Sequence, residues 1–258
     1  MVLYPLNAPA DVSRKDVIPA WNAIERTQKQ AASEWWLIAQ PDHAALSGDL
    51  ASRISFPDFP QLDAHVLQAI ALHDEGWARF DGGSALKLNG QGRPVSFLET
   101  SPPDFVIAWR GSIERSAQIA PIGGILVSEH FCRIARARLQ SGADTADDKR
   151  IIRDFLQGEA ERQTQLSRGL RRSAAEISLL VEVLQFCDLL SLYLCCGSQD
   201  NVEFPQKFKA RTIFLRREAE LCCMEPALFG RGTSLAVRAR RFPAVREPVA
   251  MSIPMLLA

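Results

Sequence analysis

Residues 69–83, "AIALHDEGWARFDGG", begin as a core helix and end as something else. Val66, Leu67, Ile70 and Leu72 make an apolar run that stops at His73. Asp74 follows at once, and then come a glycine and aromatic residues. Burying an ionisable side chain without a partner is costly, so such a pair is hydrogen-bonded, ion-paired or metal-bound. Other ligand-type residues placed in the same unusual way elsewhere in the chain would favour the last of these.

Outward from this stretch the pattern is mostly helical, with extended segments at both ends. "EWWLIAQ" (34–40) is short, aromatic and stopped by Pro41, which suits a strand. "PDHAALSGDLASRI" opens with Pro and Asp and carries Ala45, Leu46, Leu50 and Ile54 at helical spacing. Asp63 is a natural N-cap for a second helix running to Asp74. Residues 80–103, rich in Gly, Pro, Asn and Ser, read as a long loop that builds the mouth of a site. Further helices are expected at about 104–116, 121–141, 147–169 and 173–196. In the tail, "RTIFLRREAELCCM" and "TSLAVRARRF" alternate apolar and charged residues, as a few antiparallel strands pairing with the N-terminal strand would. The expected fold class is mainly α with a small antiparallel β-sheet. Residues 1–200 would form the helical domain with its N-terminal strand, and residues 201–258 a β-rich extension packed on it. There is no internal repeat or low-complexity segment.

Helical spacing turns several ligand-type side chains inward. His43 shares a face with Leu46 and Leu50, and His73 with Val66 and Ile70, while Asp74 follows Ile70 by four. His130 in "GGILVSEHFCRIARARL" lies four residues from both Leu126 and Ile134. Asp188 in "LLVEVLQFCDLLSLYLCC" shares its face with Leu180, Leu184 and Leu192, on a helix nearly devoid of other charge. A lone carboxylate there takes up a proton or acquires a cation. Three of the four histidines and two aspartates thus point inward from separate segments, which is how a helical bundle holds a divalent metal. Each taken singly also fits an ordinary satisfied core residue. His65, beside Asp63, reads as a surface or structural residue.

Bulk composition permits an intracellular enzyme. At 258 residues and 47% hydrophobic the chain can bury a full core. Thirty basic residues balance thirty acidic ones, so no net field draws the chain to nucleic acid or to an anionic membrane. The six cysteines sit mostly in apolar runs without CxxC spacing and read as reduced, buried thiols of a cytoplasmic protein. "MVLYPLNAPADVSRKD" lacks the pattern of a signal peptide. The apolar run at 177–196 is broken by Glu182, Gln185 and Asp188 and reads as a core helix rather than a membrane span.

The order His, then adjacent His-Asp, then a distant Asp on a late helix resembles the HD superfamily of metal-dependent phosphohydrolases. "DHAALSGDLA", "ALHDEGWARFD", "LVSEHF", "RQTQL" and "CDLLSLYLC", spread over residues 34–200, resemble an uncharacterised bacterial domain-of-unknown-function family within that group. The resemblance implies an HD-type helical bundle in which His43, His73, Asp74 and Asp188 ligate one divalent ion. Mn, Fe, Co, Ni, Mg and Zn all suit such ligands. It also implies that His130 contacts metal or phosphate. Two-metal forms use two histidines in that interval, and here there is one.

The expected chemistry is hydrolysis of a small phosphorylated molecule, such as a nucleotide, by metal-activated water. Asp74, Glu75 and His130 are the candidate catalytic residues, with Glu75 orienting water or acting as base. Arg79, Arg110 and Trp77 are the candidate substrate contacts, with Arg115, Phe80 and Trp109 behind them. The other reading is a non-catalytic metal-binding or ligand-sensing HD-like module, whose site would be closed and dry. "ERQTQL" is singled out by the resemblance alone.

Overall fold

The computed structural model describes residues 1–7, 16–81, 86–142, 144–218, 221–243 and 251–257. Two short strands, β1 (Val2–Pro5) and β2 (Val17–Pro19), precede helix α1 (Ala20–Gln28). Strand β3 (Trp35–Ile38) then leads into α2 (Gln40–Arg53), with Pro41 in its first turn where a missing N–H costs nothing. Helix α3 (Ala64–Ala71) is capped by Asp63, whose carboxylate accepts from His65 N and Val66 N. A 3₁₀ turn (Glu75–Trp77) and the short α4 (Ala78–Asp81) follow. Four long helices, α5 (Pro102–Ile119), α6 (Pro121–Ser141), α7 (Ala146–Leu166) and α8 (Ala174–Cys196), complete the helical layer. Thr145 and Ser173 cap the last two of these, Ser173 in a reciprocal box with Glu176.

Five strands close the chain: β4 (Asn201–Phe208), β5 (Arg211–Glu218), β6 (Leu221–Glu225), β7 (Thr233–Phe242) and β8 (Met251–Leu257). All eight strands join one sheet in the order β1-β3-β7-β8-β6-β5-β4-β2. The β2–β4 and β6–β8 pairs are parallel and the others antiparallel. This corrects the expected fold class. The chain is an α/β protein with an eight-stranded mixed sheet, not a mainly α HD-type bundle with a small antiparallel one. The physical reason is that β3 pairs with both β1 and β7, joining the chain's two ends, while β2 and β8 add parallel neighbours that alternation in the tail does not announce.

Strand alternation explains which face the helices cover. Val202, Phe204 and Phe208 of β4, Ile213 and Leu215 of β5, and Leu235, Val237 and Ala239 of β7 are buried. Phe186 of α8 meets Phe204 and Phe208 edge-on at 5.2 and 5.6 Å between ring centres. Helix α8 is long and apolar enough to cross a membrane by composition, but most of it is buried within the fold against α1, α2, α6 and the sheet.

Two sequence expectations near the site are also revised. The second helix ends at Ala71 rather than Asp74, and His73 and Asp74 occupy the tightened turn beyond it. The expected 80–103 loop begins inside α4 and contains a Leu88–Pro94 bridge and a 3₁₀ turn at Phe97–Glu99; residues 82–85 lie outside the described residues.

Candidate metal centre

The early end of α3 orients the first ligand. Once the helix stops, the carbonyl of Ile70 accepts from His73 Nδ1 at 2.7 Å. A carbonyl can only accept, so that nitrogen carries the proton and Nε2 of the neutral ring is a bare lone pair. It points at two carboxylate oxygens, Asp188 Oδ1 at 3.3 Å and Asp74 Oδ2 at 3.7 Å. Lone pairs facing carboxylates require a positive charge between them, either a proton on Nε2 or a bound cation.

The other groups arrive on separate elements. His43, in the first turn of α2, places Nε2 at 2.8 Å from Asp74 Oδ2 and Nδ1 at 2.9 Å from Ser191 Oγ. Its Nδ1 lies 3.9 Å from Asp188 Oδ1. Gly48 lets α2 approach α3, since a Cβ there would come within 2.6 Å of the Ala71 Cβ. The His43 and His73 ring centres are consequently 5.3 Å apart. His130 of α6 lies 5.4 Å from the His73 ring and directs Nε2 at Asp188 Oδ2 from 3.7 Å. Its Nδ1 is buried without a hydrogen-bond partner among the described residues. The three histidine side chains are 0–2% exposed, Asp74 9% and Asp188 14%, so the cluster opens toward solvent only along its carboxylates.

The donor set fits a divalent cation. One ligand atom from each of His43, His73 and Asp188 lies within 4.8 Å of the other two, so this buried group can hold a metal ion. Asp74 sits against both histidines and supplies a second carboxylate to the same space. Two ionised carboxylates with neutral imidazoles carry the charge that one divalent ion cancels.

Without a metal, a proton takes the cation's place. Burial alone would depress His73, but the charge of Asp74 and the hydrogen bond and charge of Asp188 outweigh it and raise the imidazole to about 9. Burial likewise opposes ionisation of Asp188, yet its hydrogen bond to His73 and the surrounding imidazoles hold it at about 2. His130 has no comparable partner, and burial lowers it to about 4, so it is neutral at neutral pH.

The remaining sequence candidates are more scattered. Glu75 adjoins Asp74 in the 3₁₀ turn and is half-buried, whereas Arg79, Arg110 and Arg115 are exposed. Arg79 lies over the Phe80 ring at 5.4 Å. Trp77 is buried and lines a cavity of about 50 Å³ shared with Met1, Phe80, Asp81 and Arg240, rather than the histidine cluster. Trp109 stacks on Phe131 at 5.0 Å and also meets Phe105 and Phe155, as a core residue. His65 is exposed.

Sequence reasoning missed the groups that brace the cluster. Ser47 and Ser191, both fully buried, lie 2.7 Å apart behind His43. Glu159 of α7 is buried, accepting from Ser128 Oγ at 2.9 Å and Arg162 Nε at 3.2 Å. Gln163, one turn later, donates to the same Ser128 hydroxyl at 2.9 Å, so the "ERQTQL" stretch ties α7 to α6 two residues from His130. On the other side of His130, Arg133 joins Glu129 to Ser178, Glu182 and Gln185 of α8. The available signal was spacing: Ser191 follows Asp188 by three, Ser47 follows His43 by four, and Glu159 precedes Gln163 by four.

No curated protein and no solved structure matches the chain. A family model described as protein of unknown function (DUF3891) matches residues 27–244. That span includes His43, His73, Asp74, His130 and Asp188, and the chain belongs to the DUF3891 family.

Proposed function

We propose that this chain is a metal-dependent phosphohydrolase acting on a small phosphorylated molecule such as a nucleotide. The observation that supports the reading is the convergence of His43, His73, Asp74 and Asp188 around a space where lone pairs and carboxylates face one another. These residues would hold a divalent ion, whose chemistry when bound would be to acidify a water molecule and withdraw charge from a phosphoryl oxygen. Asp74 anchors the cation and opposes His43. Glu75, next to it and partly solvent-accessible, takes the water's proton. His130, neutral, meets the cluster through Nε2 and assists from there, with the exposed Arg79 and Arg110 as the candidate phosphate contacts.

The low exposure of every ligand favours a second reading, in which the centre is a closed structural or sensing site. A phosphatase and nucleotidase panel run with Mn, Co, Ni, Mg and Zn separates the two. For the hydrolase, Asp74→Ala loses metal and turnover together, whereas His130→Ala keeps most of its metal and loses turnover. Absence of turnover in the wild type with every ester and metal, together with a large drop in Tm on chelation, would establish the structural site instead.

A further inference from the structure

Three imidazoles converge on the cluster, and each has a different environment at Nδ1. His73 faces a carbonyl, which fixes its tautomer, and His130 faces no partner among the described residues. His43 faces a hydroxyl, Ser191 Oγ, which can accept or donate. Ser191 lies one turn beyond Asp188 on α8, so one helix supplies both a carboxylate of the cluster and the group behind an imidazole. Ser47 lies one turn beyond His43 on α2 and touches Ser191 from the other side at 2.7 Å.

We infer that Ser191, backed by Ser47, is the positioning residue that presents His43 to a divalent ion through Nε2. The inference rests on the metal-centre reading above and concerns how that centre is built. Nε2 is the nitrogen that already faces Asp74 Oδ2, at 2.8 Å. For it to offer a lone pair in a neutral ring, the proton must sit on Nδ1 and find an acceptor there. Ser191 Oγ is that acceptor, at 2.9 Å. Its own proton goes to the Asp188 carbonyl at 2.8 Å, which leaves its lone pairs to His43. The Ser47 hydroxyl, 3.0 Å from the His43 carbonyl, shares its proton with the second lone pair of Ser191 Oγ at 2.7 Å and holds that hydroxyl against the ring.

The test titrates Zn²⁺ into the full-length wild type, Ser191→Ala and Ser47→Ala against a competing chelator, alongside ¹⁵N spectra of the histidine rings in the loaded protein. Ser191→Ala is expected to weaken Zn²⁺ binding by about 10–100-fold, the usual effect of losing a group that orients a ligand. Ser47→Ala, which keeps the acceptor, should cost about threefold or less on the same scale. In the loaded wild type, His43 Nδ1 should carry the proton and Nε2 the metal. Equal losses in the two variants would indicate a packing effect and overturn the inference, as would metal at Nδ1 with a protonated Nε2. If Ser191→Ala does not fold, the ring assignment in the wild type decides the matter. A wild type that binds Zn²⁺ tightly while Ser191→Ala binds equally well refutes this inference alone; a wild type that binds no Zn²⁺ refutes the metal centre and this inference with it.

Discussion

Replacing Gly76 by alanine probes how Asp74 is held in place. The residue sits in the 3₁₀ turn after the ligand pair, pressed against α5, and its N–H donates to Ser112 Oγ at 3.0 Å. A Cβ there would lie 2.0 Å from the Ala108 oxygen and 2.6 Å from the Ser112 nitrogen. Both are backbone atoms inside a helix and cannot step aside as the end of a side chain would. Since non-bonded contacts are comfortable only at about 3.5 Å, the turn must lift off α5 by more than about 1 Å. The lost hydrogen bond costs about 1 kcal/mol and the overpacking about 1–3 kcal/mol, so the destabilisation is roughly 2–4 kcal/mol. Asp74, two residues upstream, moves with the turn, and metal affinity falls as well. Urea unfolding at equilibrium and Zn²⁺ titration measure the two effects. Gly158, exposed on α7 with nothing within 4 Å of a Cβ, is the control; Gly158→Ala should stabilise by about 0.5–1 kcal/mol. A Gly76→Ala protein within about 0.5 kcal/mol of the wild type, with unchanged metal binding, would refute the argument.

In chelator, His73 is raised from 6.5 to about 9, so its stabilisation is complete below about pH 6.5 and is lost as pH rises through about 9. Thermal melts should show that decline in the wild type and a flatter curve in Asp188→Asn; identical curves would rule out the pairing. Metal binding must displace the same proton, so Zn²⁺ affinity should rise with pH up to about 9, the opposite slope, as seen by titration in buffers of increasing pH. Glu159→Ala leaves the Ser128 hydroxyl and Arg162 without their buried acceptor and should cost about 1–3 kcal/mol in urea unfolding. Burial pushes the Cys132 thiol up to about 12 and also raises Cys187, Cys195 and Cys196 well above the usual thiol range. Cys223 is the least buried of the six, so a chromogenic disulfide reagent should modify it first in the native protein and all six only after unfolding.

The inward placement of the candidate ligands was legible because helical spacing is rigid. His43 with Leu46 and Leu50, and Asp188 with Leu184 and Leu192, face inward in any helix through those residues, and the structure brings them to one place. The long helices were legible for the same reason: Pro121 starts α6 and Gly142 ends it in the left-handed conformation. The sheet was not, because its extent depends on pairing rather than periodicity. β2 is three residues long and pairs with β4 from the far end of the chain, and β8 carries Pro254 and serves two neighbours. Trp77 was named as a substrate contact because it follows the His-Asp pair closely in sequence, but the 3₁₀ turn leaves it buried beside Met1, Phe80, Asp81 and Arg240. Ser191 and Ser47 share helix faces with Asp188 and His43 by spacing, but that they meet each other across 144 residues of sequence is visible only in the fold.

Metal stoichiometry tests the central claim most directly. The wild-type chain, stripped with chelator and dialysed against Zn²⁺ or Mn²⁺, should retain one ion per chain by elemental analysis. His73→Ala and Asp188→Asn should each retain none while keeping the helical signal of the wild type. A stripped wild type that takes up no ion, or variants that keep a full equivalent, would contradict the metal centre assigned to His43, His73, Asp74 and Asp188.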